Sequence, residues 1–285
     1  MIVCPKCKEE ILKNVDKYIC KSCNKIYPII NNIPYFEEDI GNEEYNFNEY
    51  QVEIDKIANA EQNHFWFKSR RNLIQQVFNK FISKQDNIIE IGAGTGSIAR
   101  MLKFNNYNMS IGEIHPNGIE YALKNNSQNL PIYQFNIMNN PFKNHFDVVG
   151  LFDVLEHIED DKLAINNISK MLKGGGRIVL TVPAHMWLWC EEDEVSNHFR
   201  RYELDSLKKM LISEGFIIKY ATHFFISIVP LLYLRTKSKS SDEITINPIV
   251  NFILSIVSNI ENNILKFISS KIGGSIIIVA EKNND

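Results

Sequence analysis

Residues 88–104 constrain the fold more than any other stretch. Ile88-Ile89-Glu90-Ile91 is a short apolar run, Gly92-Ala93-Gly94-Thr95-Gly96 follows at once, and Ser97–Phe104 continues at helical spacing. A short β-branched run of this kind suits a strand buried on both faces. Glycine at 92 and 94 lets the chain reverse sharply and lets backbone approach a ligand closely. A strand that turns into a helix calls for a parallel partner strand, because parallel pairing needs a crossover. The remaining chain supplies partners. Asn108–Glu113, Ile132–Phe135, Asp147–Phe152, Arg177–Val182, Phe216–Thr222 and Ser275–Glu281 read as strands. Leu73, Ile74, Val77, Phe78, Phe81 and Ile82 recur at helical spacing. Asp160–Leu172 reads as a helix stopped by Gly174-Gly175-Gly176, and Leu204–Glu214 as another closed by Gly215. This alternation predicts an α/β fold with a doubly wound, mostly parallel sheet of seven strands.

The N-terminus follows another logic. Cys4-x-x-Cys7 and Cys20-x-x-Cys23 are separated by twelve residues. Two such turns aim four thiolates at one point, which makes a closed tetrahedral zinc site with a structural role. The leader needs it, since some 35 residues cannot build an adequate core alone. Met1 runs directly into the first pair with no signal peptide, so the cysteines read as metal ligands in a reducing, cytoplasmic compartment rather than as disulfides. The expected organisation is a zinc-ribbon-like module over 1–36, an acidic, Asn-rich linker over 37–62 with room for one poor helix, and a main domain over 63–285. Lys and Arg number 31 against 34 Asp and Glu, a net charge of -3. That balance lacks the basic stripe of a chain that grips nucleic acid.

The motifs resemble a known family. Glu90-Ile91-Gly92-Ala93-Gly94-Thr95-Gly96 is similar to the first motif of class I S-adenosylmethionine-dependent methyltransferases, acidic-x-G-x-G-x-G. Ser97 stands where a dinucleotide-binding fingerprint would place its third glycine. Further matches follow in order: Glu113 ending the second strand, Gln134-Phe135-Asn136-Ile137 ending the third, Phe146 to His157 with its trailing Leu-Glu-His, and Leu172 to Pro183. The resemblance implies a Rossmann-like sheet, S-adenosylmethionine as cofactor and methyl transfer as activity. It assigns Glu90, Gly92, Ala93, Gly94 and Gly96 to the methionine side and Glu113 to the ribose hydroxyls, with Ile114 beside it. Asn136, where the family often has Asp, and Ile137 would meet the adenine. Phe152 and Asp153 lie at the carboxyl end of the central strands, where ligands bind in such sheets. Cys4 to Phe36, including Tyr27-Pro28-Ile29-Ile30 and Ile33-Pro34, resembles the zinc-ribbon leader related to the Trm112 family, and so suggests a partner protein at this module.

Two segments point to the acceptor. His64-Phe65-Trp66-Phe67-Lys68-Ser69-Arg70 is similar to the leader of one methyltransferase subgroup. Trp66 would close over the site, and Arg70 would pair with the cofactor carboxylate; an aromatic staple with a solvated arginine pair is the equal alternative. Met186-Trp187-Leu188-Trp189 through His198-Phe199-Arg200-Arg201-Tyr202 follows the fifth strand, on the substrate side of this fold. There His198 is a candidate base. Trp187, Arg200, Arg201 and Tyr202 are candidate substrate contacts, unless Asp193 and Glu194 pair with the arginines and merely order the loop. His157 and Asp153 are further catalytic candidates. Residues 223–270 form a helical insertion before the last strand. Ile249, Phe252, Ile253, Ile256, Val257, Ile260, Ile264 and Phe267 line one stripe of it. A lid packed on the core is the first reading, and a peripheral membrane contact the second. The expected function is methyl transfer to an oxygen of a small-molecule, sugar or lipid-linked acceptor. RNA base methylation and a non-catalytic scaffold are the alternatives.

Overall fold

The computed structural model describes residues 1–37, 47–124, 129–237, 246–265 and 268–284. Phe267, noted above, and most of the first part of the expected linker lie outside them.

The leader folds as four short antiparallel strands: β1 (Ile11–Lys13), β2 (Lys17–Cys20), β3 (Ile26–Ile30) and β4 (Ile33–Pro34). Helices α1 (Phe47–Ala60) and α2 (Phe65–Phe81) follow. The main body then alternates: β5 (Asn87–Ile91), α3 (Ser97–Phe104), β6 (Asn108–Glu113), α4 (Pro116–Lys124), β7 (Ile132–Gln134), β8 (Phe146–Phe152), α5 (Asp161–Met171) and β9 (Leu172–Pro183). It ends with α6 (Glu191–Val195), α7 (Leu204–Ser213), β10 (Phe216–Phe224), α8 (Val229–Arg235), α9 (Pro248–Leu265) and β11 (Ser275–Lys282).

The sheet order is β10-β11-β9-β8-β5-β6-β7, with β11 antiparallel to both of its neighbours and the other pairings parallel. This is the expected seven-stranded, mostly parallel architecture. The order runs outward in both directions from β5 and β8, so their carboxyl ends flank a crevice. Ile88, Ile89, Val149 and Leu151 are fully buried there, each contributing roughly 1.5–3 kcal/mol. α2 starts because the His64 side chain accepts a hydrogen bond from the Trp66 backbone N–H (3.2 Å), and it covers the sheet with Leu73, Ile74, Val77 and Phe78. Phe65 and Trp66 are therefore its first turn, not a segment preceding it.

Three expectations change. First, Gly174-Gly175-Gly176 does not stop α5. The helix ends at Met171, and the glycines lie inside β9, which pairs Leu172 with Phe146. A Cβ on Gly176 would lie 2.9 Å from the Lys173 carbonyl oxygen and 3.1 Å from that of Asp147, so close backbone approach selects glycine here. Second, the leader, expected as a module of its own, is docked on the sheet. Tyr35 bridges Gln134 in parallel, the Phe36 N–H donates to the Gln134 carbonyl (2.9 Å), and Phe36 packs with Tyr18, Tyr27 and Phe142. The leader thus covers the β7 edge, which would otherwise offer open hydrogen-bonding groups. Third, α9 is inverted. It buries Ser258, Glu261, Asn262 and Leu265 and exposes Ile249, Phe252, Ile253, Ile256, Val257, Ile260 and Ile264. Beside Leu265, its inward contacts are polar: Asn262 Nδ2 donates to the Ser69 carbonyl (2.9 Å), and Glu261 accepts the Ile226 and Ser227 N–H groups (2.9 Å each). The apolar stripe expected to pack as a lid faces outward. Among the described residues, no helix is long and apolar enough to cross a membrane.

Candidate active site

The loop after β5 takes left-handed backbone at Gly92, Gly94 and Gly96, with φ of +65°, +51° and +74°. A Cβ on Gly92 would lie 2.7 Å from Val154 Cγ2, so packing against the segment after β8 excludes a side chain. A Cβ on Gly94 would meet only the Tyr50 hydroxyl, at 4.0 Å. The second glycine thus leaves the crevice side of the loop open.

Two buried carboxyl groups flank this loop. Glu113, at the end of β6, accepts the Gly94 N–H on Oε2 and the His115 N–H on Oε1, both at 2.8 Å. Burial raises its pKa, against the opposing pull of those N–H groups. The ribose reading left both oxygens open, whereas each already holds one backbone donor and keeps capacity for one more. Glu90, on β5, is buried with Oε2 unpartnered, and burial pushes its carboxyl up to about 8. A buried polar atom without a partner is uncommon in a folded chain, and this one suits a ligand ammonium.

Sequence reasoning missed what lies over the loop. Glu61 accepts the Thr95 hydroxyl on one oxygen and the Ser97 hydroxyl on the other, both at 2.7 Å. Tyr50 of α1 stacks on His115 at 3.9 Å between ring centroids. Within the span read as a linker with room for one helix, Phe47–Ala60 form a 14-residue helix that packs on α4. Tyr50, among few large apolar residues in an acidic stretch, was the available signal.

A family model described as a methyltransferase domain matches residues 60–219, more than half of the chain. The chain belongs to this methyltransferase family. A probable S-adenosylmethionine-dependent methyltransferase of Mycobacterium tuberculosis is 21% identical over 164 residues, 56% of this chain and 59% of the relative. The match thus spans about three fifths of the curated relative's length. Among solved structures, a chain from the complex between the Haloferax volcanii Trm112 methyltransferase activator and a methyltransferase shares the fold. Its TM-score is 0.59 at 11% identity, over 84% of this chain and 97% of that one. An S-adenosylmethionine-dependent methyltransferase of Thermotoga maritima shares it at TM-score 0.56 and 16% identity, over 83% and 99%.

Around the crevice of the methyltransferase, several side chains are engaged differently from the sequence reading. Arg70 forms an ion pair with Asp153 where the sequence reading gave it a cofactor carboxylate, although its Nε is buried and unpartnered. Asp153, at φ +59°, also accepts the Thr181 hydroxyl (2.9 Å), so its carboxylate is held in place from two sides. Trp66 stacks on Phe225 at 4.0 Å and does not close over the site. Phe152 turns its ring into the core beside Phe78 and over Gly150, leaving only its backbone to the crevice. Asn136 caps the turn Ile137–Asn139 by accepting the Met138 N–H (2.9 Å), and Ile114 gives its carbonyl to Gln134 (3.2 Å).

The segment after β9 orders itself, as its acidic residues allow. Buried Asp193 accepts Arg201 and the His198 Nδ1–H (2.8 Å), and these partners hold its carboxyl down at about 2 in spite of burial. Arg200 pairs with Asp161 and the carbonyls of Ile158 and Glu159. Tyr202 is buried, donating to Asp161 (2.9 Å). These three contacts are spent on structure, which removes the expected anion-holding role of both arginines. Trp187 stays half-exposed, stacked on His185 at 5.3 Å. His157 and His198 do come together, with ring centroids 4.6 Å apart.

In the leader, the four cysteine Sγ atoms lie within 4.8 Å of one another, with Cys4–Cys23 at 3.6 Å and Cys7–Cys20 at 3.4 Å. A tetrahedron with bonds of ~2.3 Å has edges of about 3.8 Å, so the set fits zinc.

Proposed function

We propose that this chain transfers the methyl group of S-adenosylmethionine to an oxygen of a small-molecule, sugar or lipid-linked acceptor. The observation that carries the reading is the unpartnered, buried Oε2 of Glu90 behind a left-handed glycine loop that Glu113 anchors. Gly92, Ala93, Gly94 and Gly96 would seat the methionine portion, with Glu90 toward its ammonium. Glu113 would take the ribose, and Ile114, Asn136 and Ile137 the adenine side. When bound, the cofactor supplies an already activated methyl, so the protein's task is to align the nucleophile and exclude water. α1, held through Glu61 and Tyr50, suits the second task. Calorimetry with adenosylhomocysteine tests the reading. Binding by the intact chain, weakened at least tenfold by Glu113→Ala, supports it; no heat from the folded chain overturns it.

The four cysteines would hold structural zinc. A lipid-linked acceptor is favoured within the class by the outward apolar face of α9, joined by exposed Leu231, Tyr233 and Leu234 of α8. That face would contact the membrane surface peripherally. Co-flotation with liposomes tests this; no flotation at low salt removes it.

A further inference from the structure

Glu156 is the least satisfied side chain among the described residues. It is 1% exposed, and both carboxylate oxygens lack a partner. It shares its surroundings with Asp153, Asp193 and Arg70. The first two are themselves carboxylates, and Arg70 is already paired with Asp153. Burying an ionised carboxyl without a partner is costly, and chains seldom keep such a group without a use for it.

Two imidazoles supply the use. One ligand atom from each of Glu156, His157 and His198 lies within 4.8 Å of the others. Each histidine is oriented through another partner. His198 Nδ1 meets Asp193, itself fixed by Arg201, and His157 hydrogen bonds to the Ser196 backbone. Metal-binding histidines have this arrangement: one nitrogen held by a carboxylate or carbonyl, the other turned to the ion. Two imidazoles and one carboxylate suit a divalent first-row ion and leave coordination positions open. The cluster also adjoins the crevice, since Val154, two residues before Glu156, packs on Gly92.

We propose that Glu156, His157 and His198 form a divalent metal site that takes the acceptor's oxygen. The site itself does not depend on the methyl-transfer reading; its role does. An acceptor hydroxyl bound there loses its proton to water more readily, because the ion stabilises the alkoxide. One oxygen lone pair then forms the O–CH3 bond as the S–CH3 bond breaks, and that electron pair stays on sulfur. The charge count closes: a sulfonium and a neutral hydroxyl give a thioether, a methyl ether and one proton.

Equilibrium dialysis against Zn2+ and, separately, Mn2+ tests the site, with bound metal read by elemental analysis. The cysteine leader is unaltered in every sample, so it cancels between wild type and variants. Wild type should retain one more equivalent than Glu156→Gln or His198→Ala, or bind 10–100-fold more tightly. Glu156→Gln keeps the shape and puts a neutral amide in place of the buried carboxyl, so it remains folded, as circular dichroism would verify. Equal metal content in wild type and both variants, for both ions, overturns the site. Adenosylhomocysteine binding is measured on the same samples. No extra metal on wild type over the variants, with nucleoside binding intact, defeats this inference alone; extra metal on wild type without nucleoside binding defeats only the methyl-transfer reading.

Discussion

The leader and α9 are both additions to one sheet, and they meet it in opposite ways. The leader packs Tyr18 and Tyr27 on Phe36, turns Phe36 inward onto Phe142 and continues the β7 edge. α9 turns Asn262 inward onto α2 and Glu261 onto the backbone of Ile226 and Ser227, and presents a row of isoleucines outward. The first arrangement is stabilised by what it buries. The second is held by directed hydrogen bonds and keeps its apolar area for something else. The two additions also meet different parts of the sheet: the leader pairs with β7, whereas α9 packs on α2 and β10.

The contrast can be broken in order of expected effect. If the four cysteines hold zinc as proposed, chelation or Cys4→Ser should remove a contribution on the order of 10 kcal/mol to the leader's folding, seen as a large fall in melting temperature. Preserved melting would mean the aromatic contacts suffice. Phe36→Ala should cost about 3–5 kcal/mol in denaturant unfolding, as a cavity opens between the two parts. On the other side, Glu261→Gln should cost about 2 kcal/mol, because two backbone donors lose a charged acceptor. Phe252→Ser, on the outward face, should change stability by no more than about 0.5 kcal/mol while reducing liposome binding. A large destabilisation there would show that the face packs within the chain.

A titration sharpens the cofactor side. The folded chain holds a proton on Glu90 up to about pH 8, whereas the unfolded chain loses it at the ordinary carboxyl value. Stability from this group is therefore full below pH ~4.5 and declines as pH rises toward 8. An ammonium ligand selects the ionised form. Adenosylhomocysteine affinity should thus rise between pH 6 and 8, by up to about tenfold per unit, and Glu90→Gln should flatten the rise. Isothermal titration in buffers of differing ionisation heat would count the proton released.

Much of the sheet was legible because its signals are local. Ser97–Phe104 and Asn108–Glu113 match the observed elements end to end, since each is bounded by turn residues and carries one clear period. The glycine loop was equally legible. Long-range pairing was not. Nothing near Phe36 announces Phe142, and a stripe of isoleucine every three or four residues does not say which way it faces. Arg70, Arg200 and Arg201 looked available for a ligand because their partners Asp153, Asp161 and Asp193 are met only in three dimensions. Glu156 stood in plain view within Leu-Glu-His, yet its isolation is a property of burial, which sequence does not display.

The aromatic seat of the leader has a consequence for the order in which the chain matures. Tyr18, Tyr27 and Phe36 are made about a hundred residues before Phe142, so at 5–20 residues per second they wait several seconds for their neighbour. A thiolate-bound ion would act as a temporary clasp, holding the early hairpins in shape until the last neighbour of the edge strand emerges.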